Sequence, residues 1–252
     1  MDHNALHEAQ HWAPLTNAIL MPGAVHVWRV ALQQPRAMVE RLMSLLSADE
    51  QTRARRFRFE RGFRRFVVAH AALRDILARY LARSPHTISF GANAYGKPHL
   101  MDADNWLQFN LSHSGEWALL AVTAIGPVGV DVEQVRKDFG GEEIARRFFS
   151  ASEVDALLAL PASLRTEAFF LCWTRKEAFI KAVGMGVSFP LESFSVSLHP
   201  HEPARVLWLR DAPQEVDSWR LAELPVGSGY VAALALKGDI SSLQLWQWQT
   251  PQ

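Results

Sequence analysis

Two carboxylates stand two residues apart in the otherwise apolar segment Gly129-Val130-Asp131-Val132-Glu133. In a β-strand, successive side chains point to opposite faces, so Asp131 and Glu133 would share one face. There they repel each other unless a cation or a basic group lies between them. A hard cation such as Mg²⁺ takes oxygen ligands, usually one or two carboxylates together with substrate phosphate. The pair therefore indicates a magnesium site, and the alternative is an alternating strand with one polar face.

A second group of candidate residues lies in the segment from Trp173 to Lys181, which reads W-T-R-K-E-A-F-I-K. Trp173, Glu177 and Lys181 are spaced four residues apart and share one face of a helix. The alternative is an exposed Glu–Lys pair, which stabilises a helix by only about 0.2–0.5 kcal/mol. The four residues before Trp173 are all apolar (Phe169–Cys172), which favours a mostly buried helix over a solvated one.

The segment Phe109–Gly115 ends in Ser112-His113-Ser114, residue types that occur in nucleophilic catalysis. Neighbouring residues on a strand face opposite ways, so Ser112 cannot easily use His113 as its base. A histidine and a serine presented to phosphate is the better interpretation.

Charge is balanced over the chain but unevenly distributed. The 252 residues include 26 Lys and Arg and 26 Asp and Glu. Residues 53–65 hold seven arginines and one acid, whereas residues 129–155 hold seven acids and four bases. Basic stretches of this kind usually meet phosphate. A basic and an acidic segment in one neutral chain therefore suggest that phosphate and a metal share a site.

Two further motifs resemble known sites but lack an essential part. Residues 7–11 match H-E-x-x-H, in which two histidines bind zinc and the glutamate activates water. With Pro14 just after and no scaffold before it, we expect a polar terminal segment there. Residues 91–98 nearly match the nucleotide-binding loop G-x-x-x-x-G-K-[ST], but Pro98 supplies no hydroxyl and no helix follows. That turn can still present Lys97 to a phosphate.

Composition excludes several classes of protein. A chain that is 49% hydrophobic and 21% charged is not disordered, and 14 Gly and 13 Pro are too few for a collagen-like chain. Its one cysteine, Cys172, allows no intramolecular disulfide. No signal peptide is evident, and the longest apolar runs are too short to cross a bilayer. We therefore expect a cytoplasmic protein.

The predicted elements form two similar halves. The first has a capping box at residues 47–50, a break at Gly62, a long helix over Phe63–Leu81 and several short strands. The second has a capping box at residues 150–153, a helix over Leu164–Val183 that stops at Gly184, and five strands. We predict an α+β fold with an N-terminal subdomain at 1–124 and a C-terminal subdomain at 125–252.

Several motifs occur in one order along the chain: R-R-F at 55–57, Y-G-K-P at 95–98, N-x-S-H-S, G-V-D-V-E and W-x-x-K-E-A-x-x-K. In order and spacing they resemble the 4′-phosphopantetheinyl transferases, and the larger, surfactin-synthetase-activating (Sfp-like) type in particular. The resemblance covers about residues 47–198. It implies two similar α+β subdomains related by a pseudo-twofold axis, an active site in the cleft between them, and a chain that works as a monomer.

The resemblance also implies roles for individual residues. Those that match the family's Mg²⁺ ligands are carboxylates: Asp131, Glu133 and Glu177. Those that match its coenzyme A contacts lie on three motifs and on the early helix: Arg53, Arg56, Lys97, Pro98, Ser112, His113 and Lys181. Glu177 and Lys181 match the catalytic positions. The chain departs from the pattern at Glu50, where a second basic contact to the 3′-phosphate would fall.

The implied reaction transfers 4′-phosphopantetheine from coenzyme A to a serine of an acyl or peptidyl carrier protein and releases adenosine 3′,5′-bisphosphate. Either Glu177, which we favour, or a metal-bound water would accept the serine proton. Alternatives are a non-catalytic module that binds coenzyme A and an RNA-binding protein, the latter disfavoured by a pI near 7.2. Acidic carriers would dock on basic and apolar residues after the metal strand: Arg136, Lys137, Phe139, Arg146, Arg147 and Phe148.

Overall fold

The computed structural model describes residues 12–14, 18–136 and 140–251, with the side chains of residues 102, 103 and 187 left out. The H-E-x-x-H motif at residues 7–11, and Lys137 and Phe139 of the predicted docking segment, lie outside these ranges. Within the described residues, no helix is both long enough and apolar enough to span a bilayer. The fold combines helices with several sheets and is α+β, as the sequence predicts.

The described residues of the first half form three α-helices and six strands, besides short 3-10 turns. These are β1 Ala13–Pro14, β2 Ala24–Ala31, α1 Arg36–Leu42, α2 Ala48–Arg55, α3 Glu60–Leu81, β3 Phe90–Ala92, β4 Pro98–Leu100, β5 Gln108–Ser114 and β6 Trp117–Thr123. Strands β3 and β4 form a separate hairpin.

The described residues of the second half form three more α-helices and six strands, besides short 3-10 turns. These are β7 Val128–Gln134, α4 Gly141–Phe148, α5 Ala151–Ala159, α6 Ala162–Val183, β8 Phe194–Val196, β9 Val206–Leu209, β10 Trp219–Glu223, β11 Tyr230–Lys237 and β12 Ser242–Gln247. Strands β8 and β9 pair as a hairpin.

Two sheets carry the fold. The larger has the order β1-β12-β2-β6-β5 and the smaller has the order β10-β11-β7. The last strand, β12, leaves the second half of the chain and pairs in parallel with β1 and β2. The predicted division between residues 124 and 125 stays a prediction.

The sheets pack face to face between two long helices. Alternation along β2 sends Val25 and Val27 to the core between the sheets and Trp28 and Val30 to the core beneath α3. On β7, Val128, Val130 and Val132 likewise fill the core between the sheets. The intervening positions of β7 are thereby turned away from that core, which confirms that Asp131 and Glu133 share a face.

Local sequence signals explain where the helices start. Both predicted capping boxes are present, with Ser47 and Glu50 opening α2 and Ser150 and Glu153 opening α5. The predicted break at Gly62 is wrong, because this glycine lies in the first turn of α3 and the chain turns at residues 56–59 instead. A Cβ on Gly62 would come within 2.9 Å of the Phe57 ring, so the glycine serves close packing.

Helix α6 lies directly against β7 because Gly129 has no side chain. A Cβ at Gly129 would stand 2.0 Å from the carbonyl oxygen of Ala178 and 2.4 Å from the amide nitrogen of Ala182. Only glycine allows this approach. The contact sets the distance between the strand that carries Asp131 and the helix that carries Glu177 and Lys181.

Candidate active site

The two sheets meet where β5 runs beside β7, and side chains join these strands. Alternate residues of β5 reach across: the Asn110 Oδ1 accepts from the Val130 amide at 2.9 Å. Ser112 Oγ donates to Asp131 Oδ1 at 2.8 Å, and Ser114 Oγ donates to Glu133 Oε2 at 2.9 Å. The N-x-S-H-S motif thus orients both carboxylates of β7. Ser112 is buried and faces a carboxylate, away from His113, as the strand geometry predicts.

Lys181 of α6 contacts the same two side chains, Ser112 and Asp131. Its Nζ lies 2.6 Å from Asp131 Oδ1 and 2.8 Å from Ser112 Oγ. Asp131 is 3% exposed, and its second oxygen, Oδ2, is buried without a hydrogen-bond partner. A buried carboxylate oxygen without a partner is costly. The site therefore has a buried acceptor, Asp131 Oδ2, to which no group among the described residues donates a hydrogen bond.

Glu133 and Glu177 complete a cluster of three acids. Burial raises the pKa of Glu133, and the charge of Asp131 raises it further. Burial also raises the pKa of Glu177, with added contributions from Asp131 and Glu133. The charge of Asp131 thus contributes to both upward shifts, and the charge of Lys181 partly offsets them.

The residue types of this cluster suit a hard cation, although the three side chains do not converge on one point. Mg²⁺ prefers carboxylate oxygens and completes its shell with water and phosphate. Asp131 offers an unused oxygen, and the mutual repulsion of the acids would be relieved by positive charge between them. In the described ranges, no three His, Cys, Asp or Glu side chains converge closely enough to hold a metal ion. Instead, Lys181 neutralises one oxygen of Asp131.

Several positively charged or titratable basic side chains lie close together beside the cleft. The His113 side chain is exposed. Partial loss of solvent around its ring nonetheless lowers its pKa, and the nearby charges of Lys181, Arg65 and His70 lower this pKa further. Four cationic or potentially cationic groups from α3, β5 and α6 therefore face one region. Such a concentration of positive charge is suited to an anion.

Arg53 is exposed and lies above a stack of side chains. Its guanidinium is 5.3 Å from the centroid of Phe66, and Phe66 stacks on His70 at 4.0 Å. His70 bonds Glu50 at 3.2 Å, and Arg74 donates to Glu50 at 2.6 Å. The packing places Arg53 over Phe66, on the same stack as His70, whose charge acts on His113.

Glu50 supports this stack from within. Burial opposes ionisation of Glu50, but hydrogen bonds from His70, the Ser47 amide and Arg74 outweigh it and lower the pKa to about 2. Its charge is thus matched inside the protein, and this position offers no basic contact. The departure from the family pattern at Glu50 has a structural role.

The Lys97 turn is joined to the second half. Lys97 Nζ donates to the carbonyl oxygens of Val128 and Ala182, each at 3.0 Å, and burial lowers its pKa to about 8. Asn93 Nδ2 donates to the Gly184 carbonyl at 2.8 Å. The turn therefore fixes the end of α6, which sequence reasoning did not anticipate for Asn93. Of the other candidates, Pro98 and Arg56 are exposed.

The opposite face of α6 holds another ion pair. Lys176 Nζ lies 2.8 and 2.7 Å from the two oxygens of Glu153 and 2.7 Å from the Phe194 carbonyl. The pair is almost fully buried. Lys176 and Glu177 are adjacent in the K-E-A motif, but Lys176 is fully buried in the core whereas Glu177 is partly exposed.

Comparison with known proteins gives matches to one family over both halves of the chain. Residues 127–235 match the model of the 4′-phosphopantetheinyl transferase superfamily, and residues 32–125 match that of the 4′-phosphopantetheinyl transferase N-terminal region. The chain is 39% identical over 243 residues to the 4′-phosphopantetheinyl transferase HetI of Nostoc sp., covering 95% of this chain and 99% of that protein. It is 38% identical over 160 residues to the 4′-phosphopantetheinyl transferase Sfp of Bacillus subtilis, covering 64% and 70%.

The family resemblance is confirmed, whereas the Sfp-like subtype stays a prediction. The two family models together match most of the chain, on both sides of the cleft where β5, β7 and α6 meet. The non-catalytic alternative loses its support, because the relatives are named as transferases. The chain belongs to the 4′-phosphopantetheinyl transferase superfamily and is an enzyme of that kind.

Proposed function

We propose that this enzyme transfers 4′-phosphopantetheine from coenzyme A to a serine of an apo acyl or peptidyl carrier protein, with Mg²⁺, and releases adenosine 3′,5′-bisphosphate. The observation that carries the proposal is the junction of β5, β7 and α6. There Lys181, Asp131 and Ser112 are in direct contact, and Glu133 and Glu177 add two negative charges. A divalent cation would balance the negative charge of this cluster, and a diphosphate would balance the positive charge of the surrounding cations.

The binding roles follow from position. Asp131, Glu133 and Glu177 would hold Mg²⁺, which when bound neutralises the diphosphate and helps the nucleophile to approach an anion. His113 lies in the cationic region, next to the charges of Lys181 and Arg65, and would donate to the diphosphate. Arg53, on the same stack as His70, would bind the 3′-phosphate. We assign Arg56, Lys97, Pro98 and Ser112 to the nucleotide side of the cleft. Lys97 would act by holding the backbone carbonyls of Val128 and Ala182, and Ser112 would act by holding the Asp131 carboxylate.

The chemical step needs a base and a cation. The serine oxygen of the carrier forms a bond to the β-phosphorus, and the bond to the bridging oxygen of the adenosine bisphosphate breaks. Glu177 would accept the serine proton, since burial, the largest cause, raises its pKa and makes it a stronger base than a free carboxylate. Lys181 would stabilise the charge that grows on the leaving phosphate. Phosphoryl transfer depends mainly on such positioning and neutralisation.

The finer assignment is the Sfp-like type, acting as a monomer. The chain length and the match to relatives over both halves support it, because one chain supplies both sides of the cleft. The contacts that join Ser112, Asp131 and Lys181 within one chain support a site that a single copy builds.

The test is mass spectrometry of the acceptor. Purified enzyme is incubated with coenzyme A, Mg²⁺ and an apo carrier protein, and we expect the carrier to gain one phosphopantetheine group while adenosine 3′,5′-bisphosphate appears in equal amount. The variant Glu177→Gln should leave the carrier unmodified. The matched control is Glu167→Gln, the same substitution at an exposed position of the same helix.

An unmodified carrier in the presence of wild-type enzyme, with coenzyme A consumed or bound, would contradict the proposed acceptor. Transfer that continues at full rate after chelation of divalent cations would contradict the metal assignment. Full activity of Glu177→Gln would remove Glu177 from the mechanism while leaving the overall reaction standing.

A further inference from the structure

The turn between β3 and β4 joins the first half of the chain to two elements that meet at the candidate site. Lys97 Nζ donates to the carbonyl oxygen of Val128, at the start of β7, and to that of Ala182, at the end of α6, each at 3.0 Å. Asn93 Nδ2 donates to the carbonyl oxygen of Gly184, which caps α6, at 2.8 Å. We call these three hydrogen bonds, made by Asn93 and Lys97, the turn clamp.

The ammonium group of Lys97 is engaged with backbone atoms. Two of its three N–H groups donate to carbonyl oxygens. Burial lowers the pKa of Lys97 to about 8, and among the described residues no carboxylate lies within ion-pair distance of it. A partly buried cation without an acidic partner is unfavourable by itself. Its presence is therefore explained by the elements that its bonds hold together.

The side chain of Asn93 shapes the turn from within. Its Oδ1 accepts from the backbone amides of Tyr95 and Lys97, each at 2.9 Å. An asparagine that bonds its own backbone a few residues on is typical of a tight turn. The backbone closes the same turn, because the Asn93 amide donates to the Lys97 carbonyl at 3.0 Å. One side chain thus fixes the turn with its oxygen and ties it to α6 with its nitrogen.

The receiving end of the clamp is equally specific. Gly184 ends α6 in the left-handed conformation, with φ 82°, which favours glycine. A Cβ at Gly184 would stand 3.0 Å from Lys97 Cδ and 3.2 Å from Asn93 Nδ2. The glycine therefore both stops the helix and lets the turn approach it.

The clamp and the candidate site join the same two elements. Val128 and Asp131 lie on β7, and Ala182 follows Lys181 on α6. Lys97 bonds the backbone of this strand and this helix, while Lys181 Nζ reaches Asp131 Oδ1 at 2.6 Å. Hydrogen bonds are directional, so those of Lys97 restrict sliding of the helix along the strand. Such sliding would move Lys181 away from Asp131.

We propose that Asn93 and Lys97 are positioning residues, which hold the end of α6 on β7 where Lys181 reaches Asp131. The effect on rate rests on the proposed function. The inference goes beyond that function in assigning a role to Asn93 and in placing the effect of both residues on the chemical step instead of on coenzyme A binding. Both residues act through Lys181.

Two variants remove the donors of the clamp. Lys97→Met keeps most of the side-chain length, and Asn93→Asp keeps the acceptor that shapes the turn. We expect kcat to fall about 10- to 100-fold in Lys97→Met, because a small misplacement of a group at the site has an effect of this size. The fall should be smaller in Asn93→Asp, since that side chain is exposed. The KM for coenzyme A should stay unchanged in both.

Hydrogen exchange tests the clamp without any reaction. Amides at the end of α6, residues 180–184, should exchange about tenfold faster or more in Lys97→Met, because local opening depends on the bonds that hold a segment. Exchange in α3 should not change.

The matched controls are the same substitutions outside the clamp. Asn105→Asp changes an exposed asparagine before β5, and Lys237→Met breaks an ion pair with Glu215 at 2.8 Å. Neither control should alter kcat or exchange at the end of α6.

Three results would overturn the proposal. Unchanged exchange at residues 180–184 in Lys97→Met would show that the clamp does not hold α6. Faster exchange with a normal kcat would show that the clamp does not position Lys181. A raised KM for coenzyme A with a normal kcat would make Lys97 a ligand of the nucleotide. If wild-type enzyme modified no carrier, the proposed function would fail, and the exchange measurement would still decide whether the clamp exists.

Discussion

The charged side chains on two faces of helix α6 differ in how fully they are hydrogen-bonded and paired. On one face, Lys176 is bonded to both oxygens of Glu153, and Glu153 also accepts from the Ser150 and Val196 amides. On the other face, Asp131, Glu133 and Glu177 share one lysine, and an oxygen of Asp131 has no partner. Both clusters are largely shielded from water. One is internally satisfied, and the other leaves a buried carboxylate oxygen without a partner among the described residues.

This difference indicates what each cluster is for. A buried pair whose donors and acceptors are all satisfied holds elements together, here α5, α6 and β8. A group of acids that repel one another lowers stability and persists where binding or catalysis needs it. The K-E-A motif places one residue of each kind side by side on the helix.

The largest effect we expect comes from breaking the complete cluster. Lys176→Met leaves Glu153 buried without its cation, which should reduce the free energy of unfolding by roughly 3–5 kcal/mol. Urea denaturation followed by circular dichroism measures this. The double variant Lys176→Met/Glu153→Gln should lose less than the sum of the single changes. A strictly additive loss would contradict the coupling.

Breaking the open cluster should reduce activity, and removal of Glu177 should leave stability unaffected. We expect Asp131→Ala or Glu177→Ala to reduce the transfer rate by at least ~10²-fold, since a lost ligand misplaces the metal. The unfolding free energy of Glu177→Ala should stay level or rise, because one repelling charge is gone. Near-normal turnover at saturating Mg²⁺ would remove the metal assignment, and severe destabilisation would end the contrast between the two faces.

Much of this could be predicted from the sequence, because it depends on local pattern. The capping boxes at Ser47 and Ser150 are local, and so is the alternation that places Asp131 and Glu133 on one face. The helical spacing of Glu177 and Lys181 is local as well. Motif order then identified the family without any tertiary information.

The remainder depends on contacts between distant segments. Nothing local indicates that Lys181 bonds Asp131, that Asn93 reaches Gly184, or that β12 joins the sheet of the first half. The break expected at Gly62 was wrong because a glycine can be required by the Phe57 ring as well as by a turn. The direction of Lys176 likewise follows from Glu153, which is 23 residues away.

Arg53 combines a feature of each cluster, because the stack below it is internally paired whereas its own guanidinium is open to a ligand. Its stack ends internally in the matched Glu50–Arg74 pair, but the guanidinium itself is exposed. Arg53→Ala should raise the KM for coenzyme A more than it lowers kcat, because the 3′-phosphate lies far from the reacting phosphorus. A lost charged hydrogen bond of roughly 1.5–3 kcal/mol corresponds to about 10–150-fold. If dephospho-coenzyme A is discriminated equally by wild type and variant, Arg53 does not bind that phosphate.

The smallest effect should come from Ser114, whose hydroxyl donates a hydrogen bond to Glu133. Ser114 Oγ donates to Glu133 and accepts from the Gln134 amide at 3.1 Å, so it fixes the carboxylate relative to β7. Ser114→Ala should weaken Mg²⁺ activation about tenfold, as the loss of a group that orients a ligand usually does. The Mg²⁺ dependence of transfer and direct Mn²⁺ binding both report this. Ser114→Thr keeps the hydroxyl and should retain most of the affinity, whereas an equal loss in both variants would mean that packing at this position, and not the bond to Glu133, supports the site.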